Sequence, residues 1–456
     1  MKADLAIRGA TIVTEHAVMP ADVAVVAGKI AAILAPDTAV EAADTLQARG
    51  LHLLPGLVDC HVHLNEPGRT HWEGYATGTS AAAAGGITTV LDMPLNNDPP
   101  TLDRAALRIK RDAVASHAVV DYGHWGGYIG GNLENLNELH QDGVVAFKAF
   151  MSPSGLDEFP AVDDAALFRG LRRLASLGAV LGVHAESAGL TTLLGTEEQA
   201  AQHREPQAWA RSRPGFTEEE AVQRALLLAR ETGCRLHVVH ASTAVAATLV
   251  SSAAAGGVRA TVETCPHYLT LDEDDLERTG AVAKCAPPLR SRAVVDELWS
   301  AVLDGRIDCI ASDHSPCSPE VKHQGEGDIW CAWGGIAGIQ TLLPALLTEG
   351  VHKRGLPLSR LVHLTSANPA RLFGLFPRKG ALQVGADADF TLIDLKRQWT
   401  LEAGMLHNRW SLSPFIGRQF HGSVAATIVR GMVVYREGQV LATPGAGRLL
   451  VPIRED

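Results

Sequence analysis

The chain has no C-x-x-C pair, no apolar run long enough to span a bilayer, no basic cluster, and only 5% aromatic residues among its 456 positions. Each shortage excludes something. The seven cysteines (60, 234, 265, 285, 309, 317 and 331) are odd in number and scattered, so they read as reduced thiols rather than a disulfide framework. The N-terminus, Met1-Lys-Ala-Asp-Leu-Ala-Ile, has an early acid and no apolar core, unlike a secretory signal. A cytoplasmic location and no membrane partner are the expectation. Lys plus Arg total 40 against 51 for Asp plus Glu, a net charge of −11, which argues against nucleic acid as the main partner.

What is present is an ordinary globular balance, 46% apolar and 20% charged, long enough for one large domain and a smaller one. Residues 4–34 read as short strands at 4–7, 10–13, 22–26 and 30–34, separated by turn residues. A similar texture returns at 388–394 and 426–435. The two ends are expected to pair into a small β-sandwich domain, residues 1–54 plus 376–456. From 55 to 375 apolar strands alternate with helical runs. Strand candidates lie at 86–93, 143–150, 179–184, 235–240, 258–264 and 307–314, and helical runs at 218–231 and 293–303. Repeated βα units with near-continuous apolar strands predict a parallel sheet covered by helices. No Gly-rich phosphate loop follows a strand, so a closed (β/α)8 TIM barrel over 55–375 fits better than an open doubly wound sheet. The fold class expected is α/β.

His61 and His63 stand two residues apart at the end of the apolar run 55–66. Side chains alternate along a strand, so the pair projects to one face. Alone, a His-x-His is more often packed or solvated than a ligand pair. Its partners decide the matter. Lys148 lies in the run 143–150, His184 ends 179–184, His240 ends 235–240 and Asp313 follows 307–312. In a barrel these strand ends share the active-site face. Singly, His184 reads as a core histidine and Asp313 as a helix cap. Five such strand ends together make coincidence a poor account. His237, three residues before His240, is expected to face the other way and pack. Lys148 cannot ligate a cation as an ammonium. Burial depresses a lysine pKa, and the neutral amine can take up carbon dioxide to give an anionic carbamate able to bridge two metals.

Asp59-x-His61-x-His63, the strand lysine, the two single histidines and Ser312-Asp313-His314 resemble the amidohydrolase superfamily in its cyclic-amidohydrolase branch. The likeness spans the whole chain. It implies that His61, His63 and Asp313 hold one divalent metal and His184 and His240 the other. Lys148, as N6-carboxylysine, and a hydroxide would bridge them. Asp313 would take the hydroxide's proton and pass it to the leaving nitrogen, while His314 has no catalytic role. Zinc is the first expectation; cobalt, manganese and iron suit the same ligands.

Within the branch, dihydroorotases carry an arginine where Asn65 stands, suited to a substrate carboxylate. Hydantoinases and dihydropyrimidinases carry a tyrosine shortly after the lysine, and 150–154 has none. Segments 66–75, 93–96, 284–290, 312–317 and 332–338 resemble allantoinases, which implies hydrolysis of the cyclic amide of allantoin, a small neutral ureide, to allantoate. The same likeness implies substrate contacts at the backbone of Ala286 and Gly334, with Ser315 nearby and Asn65 bearing on which ring is opened. Arg69 and His71 are candidates for the mouth, segments 187–216 and 315–333 for lids, and a homotetramer for the assembly. The alternatives are a hydantoinase acting on other 5-substituted hydantoins, a mononuclear deaminase, and a metal-free scaffold relative.

Overall fold

A computed structural model describes residues 2–453. Its centre is a ring of parallel strands: β1 (Leu57–Val62), β2 (Ile87–Asp92), β3 (Asp121–His124), β4 (Phe147–Phe150), β5 (Val180–His184), β6 (Arg235–Val238), β7 (Ala260–Thr264) and β8 (Cys309–Ile310). β1 to β3 pair in sequence order, and so do β4 to β8. Past Trp125 the third strand resumes as Gly126–Gly127 and pairs with β4. The ring closes where Val62 bridges His314, just beyond β8. Every residue of β1, β2, β4 and β5 is buried, which is why these segments read as unbroken apolar runs rather than alternating ones. The helical runs expected at 218–231 and 293–303 fall within helices Gly215–Thr232 and Arg292–Leu303. The first ends on Gly233 at φ 69°, a left-handed cap that favours glycine.

The two chain ends join in one nine-stranded sheet. Its seam is His52–Pro55, which pairs with Lys2–Val13 on one side and Phe390–Thr400 on the other. The tips of the two halves meet as well. The Ala388 N–H donates to the Gly28 carbonyl at 2.9 Å, and Lys29 pairs with Asp387 at 2.6 Å. Between the halves Ile7, Ile12, Val23, Phe390 and Ile428 form a separate apolar core. Lys2–Val13 is one strand where the sequence predicts two. Gly9, at φ 72°, donates its N–H to Asp22 Oδ1 at 2.7 Å and forms a bulge, so the chain bends without leaving the sheet.

A buried ionic knot ties this sheet to the barrel. Asp121 opens β3, at the end opposite the strand C-termini. The Lys379 ammonium lies 2.5 Å from Asp121, 2.6 Å from Asp389 and 3.0 Å from Asp387, and Arg430 pairs with Asp121 from the other side. These three carboxylates are close enough to share a cation, and Lys379 is that cation. Removing it leaves buried anions short of positive charge, a change that costs about 3–5 kcal/mol. Lys379→Met should therefore lower the unfolding free energy by that amount, read as a lower denaturant midpoint at unchanged slope. An unchanged midpoint would show the knot to be energetically idle.

Candidate active site

The six predicted side chains meet at one cavity at the strand C-termini, lined by His61, His63, Lys148, His184, His240 and Asp313. His61 and Lys148 sit within their strands, and His184 ends β5. His240 and Asp313 lie beyond the last residues of β6 and β8, at φ 41° and 44°. These left-handed residues break the strand alternation, which corrects the expectation for His237. Rather than packing on an outer face, His237 points inward, with Nε2 3.1 Å from Glu263 Oε2 below the cavity floor.

In the first half of the site, Asp313 Oδ1 lies 3.3 Å from His61 Nε2 and 3.4 Å from His63 Nε2. One ligand atom from each can surround a single cation. Burial works to raise the Asp313 carboxyl, but positive charge at the His61 ring and a hydrogen bond from His63 bring it down to about 2, and a cation bound in the site would supply that charge where His61 is neutral. Burial also lowers His61, favouring the neutral ring. Its Nδ1 lies 2.5 Å from Glu263 Oε1, which assigns the ring proton to Nδ1. That leaves a lone pair on Nε2, a buried atom with no hydrogen-bond partner among the described residues.

The second half uses the same device. His184 Nε2 lies 2.7 Å from Glu186 Oε2, which Arg213 holds at 2.5 Å. The proton therefore sits on Nε2, and the free Nδ1 faces His240 Nε2 at 3.0 Å. Burial, with Lys148 nearby, pushes His240 well below its usual value, so its ring is neutral. Two ring nitrogens this close need a proton or a cation between them, which fits a metal site. Lys148 is 1% exposed, with Nζ 5.0 Å from the centre of the Phe150 ring. Burial lowers it to about 8, so part of the amine is neutral near physiological pH.

Ala286, Ser315 and Gly334 line the same cavity. The peptide N–H and C=O groups of Ala286 and Gly334 have no partner among the described residues. Ser315 Oγ accepts from Asn96 Nδ2 at 3.3 Å. Asn65 is not among the lining residues. It is buried at φ 62° and its Nδ2 donates to the Pro316 carbonyl at 3.1 Å, bracing the two loops that carry His63 and Ser315. Arg69, paired with Glu158 at 2.6 Å, and His71, packed on Trp72, also stand outside the lining. Segment 187–216 forms helices Ala188–Ala200 and Pro206–Arg211, which meet segment 315–333 through Trp209 against Trp330 and Arg204 paired with Asp328. Sequence reasoning missed Glu263, Glu186 and Asn96. For Glu263 a signal existed: it is a carboxylate inside an apolar strand, as Lys148 is an ammonium inside one.

The sequence model of the amidohydrolase family matches residues 52–434. An allantoinase of Deinococcus radiodurans is 49% identical over 453 residues, covering 99% of either chain. One from Rubrobacter xylanophilus is 48% identical, covering 99% of this chain and 98% of its own. Among solved structures, the L-hydantoinase (dihydropyrimidinase) from Arthrobacter aurescens superposes with a TM-score of 0.96 at 38% identity, over 98% of this chain and 100% of that one. This chain belongs to the amidohydrolase family, which implies a binuclear metal site, and it is a hydrolase of cyclic amides.

Proposed function

We propose that the chain hydrolyses the hydantoin-ring amide of allantoin to allantoate. Two divalent cations would be held by His61, His63 and Asp313 and by His184 and His240, with Lys148, as N6-carboxylysine, as a further anionic ligand. The observation that carries this reading is the convergence of all six side chains on one cavity. When bound, the cations supply hydroxide near neutral pH and polarise the carbonyl under attack. The rest is the work of the chain's own groups. Asp313, ionised above about pH 2, accepts the proton of the attacking water and returns it to the departing ring nitrogen. The neutral Lys148 amine joins carbon dioxide and releases a proton, which replaces a repelling ammonium by an anion with two donor oxygens. Zinc is the metal we favour, with cobalt, manganese or iron as substitutes.

A neutral substrate suits the cavity. Lys148 is the only lysine or arginine lining it among the described residues. The free peptide groups of Ala286 and Gly334 offer donors and acceptors to an imide and ureide, with the Ser315 hydroxyl beside them. The allantoinases at 48–49% identity over nearly the whole chain support allantoin as the substrate. We further propose a cytoplasmic homotetramer, with the barrel domain at 55–375 and the sandwich domain at 1–54 plus 376–456. No helix among the described residues is long and apolar enough to cross a membrane.

The likeness to an L-hydantoinase favours a second reading, hydrolysis of other 5-substituted hydantoins. Parallel kinetics on allantoin, dihydrouracil and a 5-alkylhydantoin separate the two. We expect kcat/KM for allantoin to lead by about tenfold or more. Turnover of the alkylhydantoin with allantoin inert would establish the second reading instead. Lys148→Ala should strip the purified protein of its divalent metal, whereas a mononuclear deaminase would keep its ion. Glu263→Gln removes the charge behind His61 and should weaken metal retention about 10–100-fold in chelator competition.

A further inference from the structure

Lys284 and Lys322 are buried, each 3% exposed, and neither ammonium pairs with a carboxylate among the described residues. Their hydrogen-bond partners are all backbone carbonyls. Lys284 Nζ donates to Ile329 at 2.9 Å and Ala332 at 2.7 Å, and lies 4.1 Å from the centre of the Trp209 ring. Lys322 Nζ donates to Trp333 at 2.8 Å, Gly335 at 2.7 Å and, at 3.5 Å, Lys284. The Gly335 N–H closes the loop by donating to the Lys284 carbonyl at 2.7 Å. Burying an ammonium without a counter-ion is costly, and burial lowers Lys284 to about 7 and Lys322 to about 8. An apolar side chain would fill either space without that cost. What the two ammoniums do instead is take the carbonyls of one short segment away from the cavity.

That segment is a wall of the active site. Trp333, Gly334 and Gly335 line the cavity, as do Cys285 and Ala286 beside Lys284. From 332 to 335 the lysines hold every carbonyl except that of Gly334, whose C=O and N–H have no partner among the described residues. The segment has no slack on its far side, since a Cβ at Gly335 would stand 2.1 Å from the Ser315 carbonyl oxygen.

We propose that Lys284 and Lys322 are positioning residues that orient the Gly334 peptide toward the cyclic amide edge of the substrate. They do so by holding the carbonyls of Ile329, Ala332, Trp333 and Gly335. This rests on the hydrolase reading above, because it assigns the Gly334 peptide to substrate recognition. Asp313 begins the same connection after β8, but neither lysine hydrogen-bonds to a metal-site residue, so loss of one ammonium acts on binding more than on chemistry. Lys322→Met, which keeps the side-chain length, should raise KM about tenfold while kcat falls by less than about threefold and metal content is unchanged. Amides of 329–336 should exchange hydrogen about tenfold faster in the variant, while those of β1 do not change.

The exchange measurement needs no substrate, so it stands even if allantoin proves inert, an outcome that would sink the substrate assignment alone. Lys284→Met is the second variant and should behave in the same way. A KM within about twofold of the parent, or unaltered exchange at 329–336, overturns the proposal. So does failure of both variants to fold, since the lysines would then support the barrel itself.

Discussion

One buried carboxylate holds the floor of this site. Glu263 rises from β7 and is fully enclosed. Its Oε1 lies 2.5 Å from His61 Nδ1 and accepts the His240 N–H at 3.2 Å, so it touches a predicted ligand of each metal. Its Oε2 takes the Cys60 thiol at 3.5 Å and faces His237 at 3.1 Å. Burial alone would raise the Glu263 carboxyl, but His61 and His237 hold it well below the usual range. An ionised group in so dry a place survives only because it is surrounded by donors. The return is orientation. With its proton fixed on the inner nitrogen, His61 presents a lone pair at the barrel mouth.

The second half of the site repeats this arrangement with different residues. Glu186 stands behind His184 as Glu263 stands behind His61. Burial would raise the Glu186 carboxyl too, but Arg213 and His184 bring it down to about 2. The same Arg213 lies 4.4 Å from the Trp209 ring, on which Lys284 also rests. One indole thus connects the support of a metal-site histidine with the lysine that holds the 329–335 wall. Cation–π contacts of this kind contribute about 0.5–2 kcal/mol each. They give helix Pro206–Arg211 a reason to close on the barrel rather than stand off it.

Polarity at the ends of apolar runs made much of the site legible in the sequence. Histidine, lysine and aspartate are conspicuous where a strand is otherwise Val, Ile and Ala, and that contrast singled out His61, His63, Lys148, His184, His240 and Asp313. Face assignments were harder, because they assume alternation to the end of each strand. His240 and Asp313 leave their strands in left-handed conformations, so counting residues back from His240 misplaced His237. Glu263 carried the same contrast as Lys148 but needs a partner on β1, 202 residues away, to acquire a meaning. Asn65 shows the opposite limit. Its chemistry excluded a fixed positive charge at that position, yet only the packing of two loops reveals its bond to Pro316. In the fold, the bulge at Gly9 turned two predicted strands into one, because a single left-handed glycine bends a strand that the eye reads as ended.

The central claim is that this barrel performs cyclic-amide hydrolysis through a binuclear centre assembled on His61, His63, Lys148, His184, His240 and Asp313. The most direct test is stepwise reconstitution of metal-stripped protein with zinc or manganese, in the presence and absence of bicarbonate, while allantoate formation is followed. The account predicts activity that climbs to a break at two equivalents per chain and depends on bicarbonate. Full activity without metal, or a break at one equivalent with no effect of bicarbonate, would contradict it.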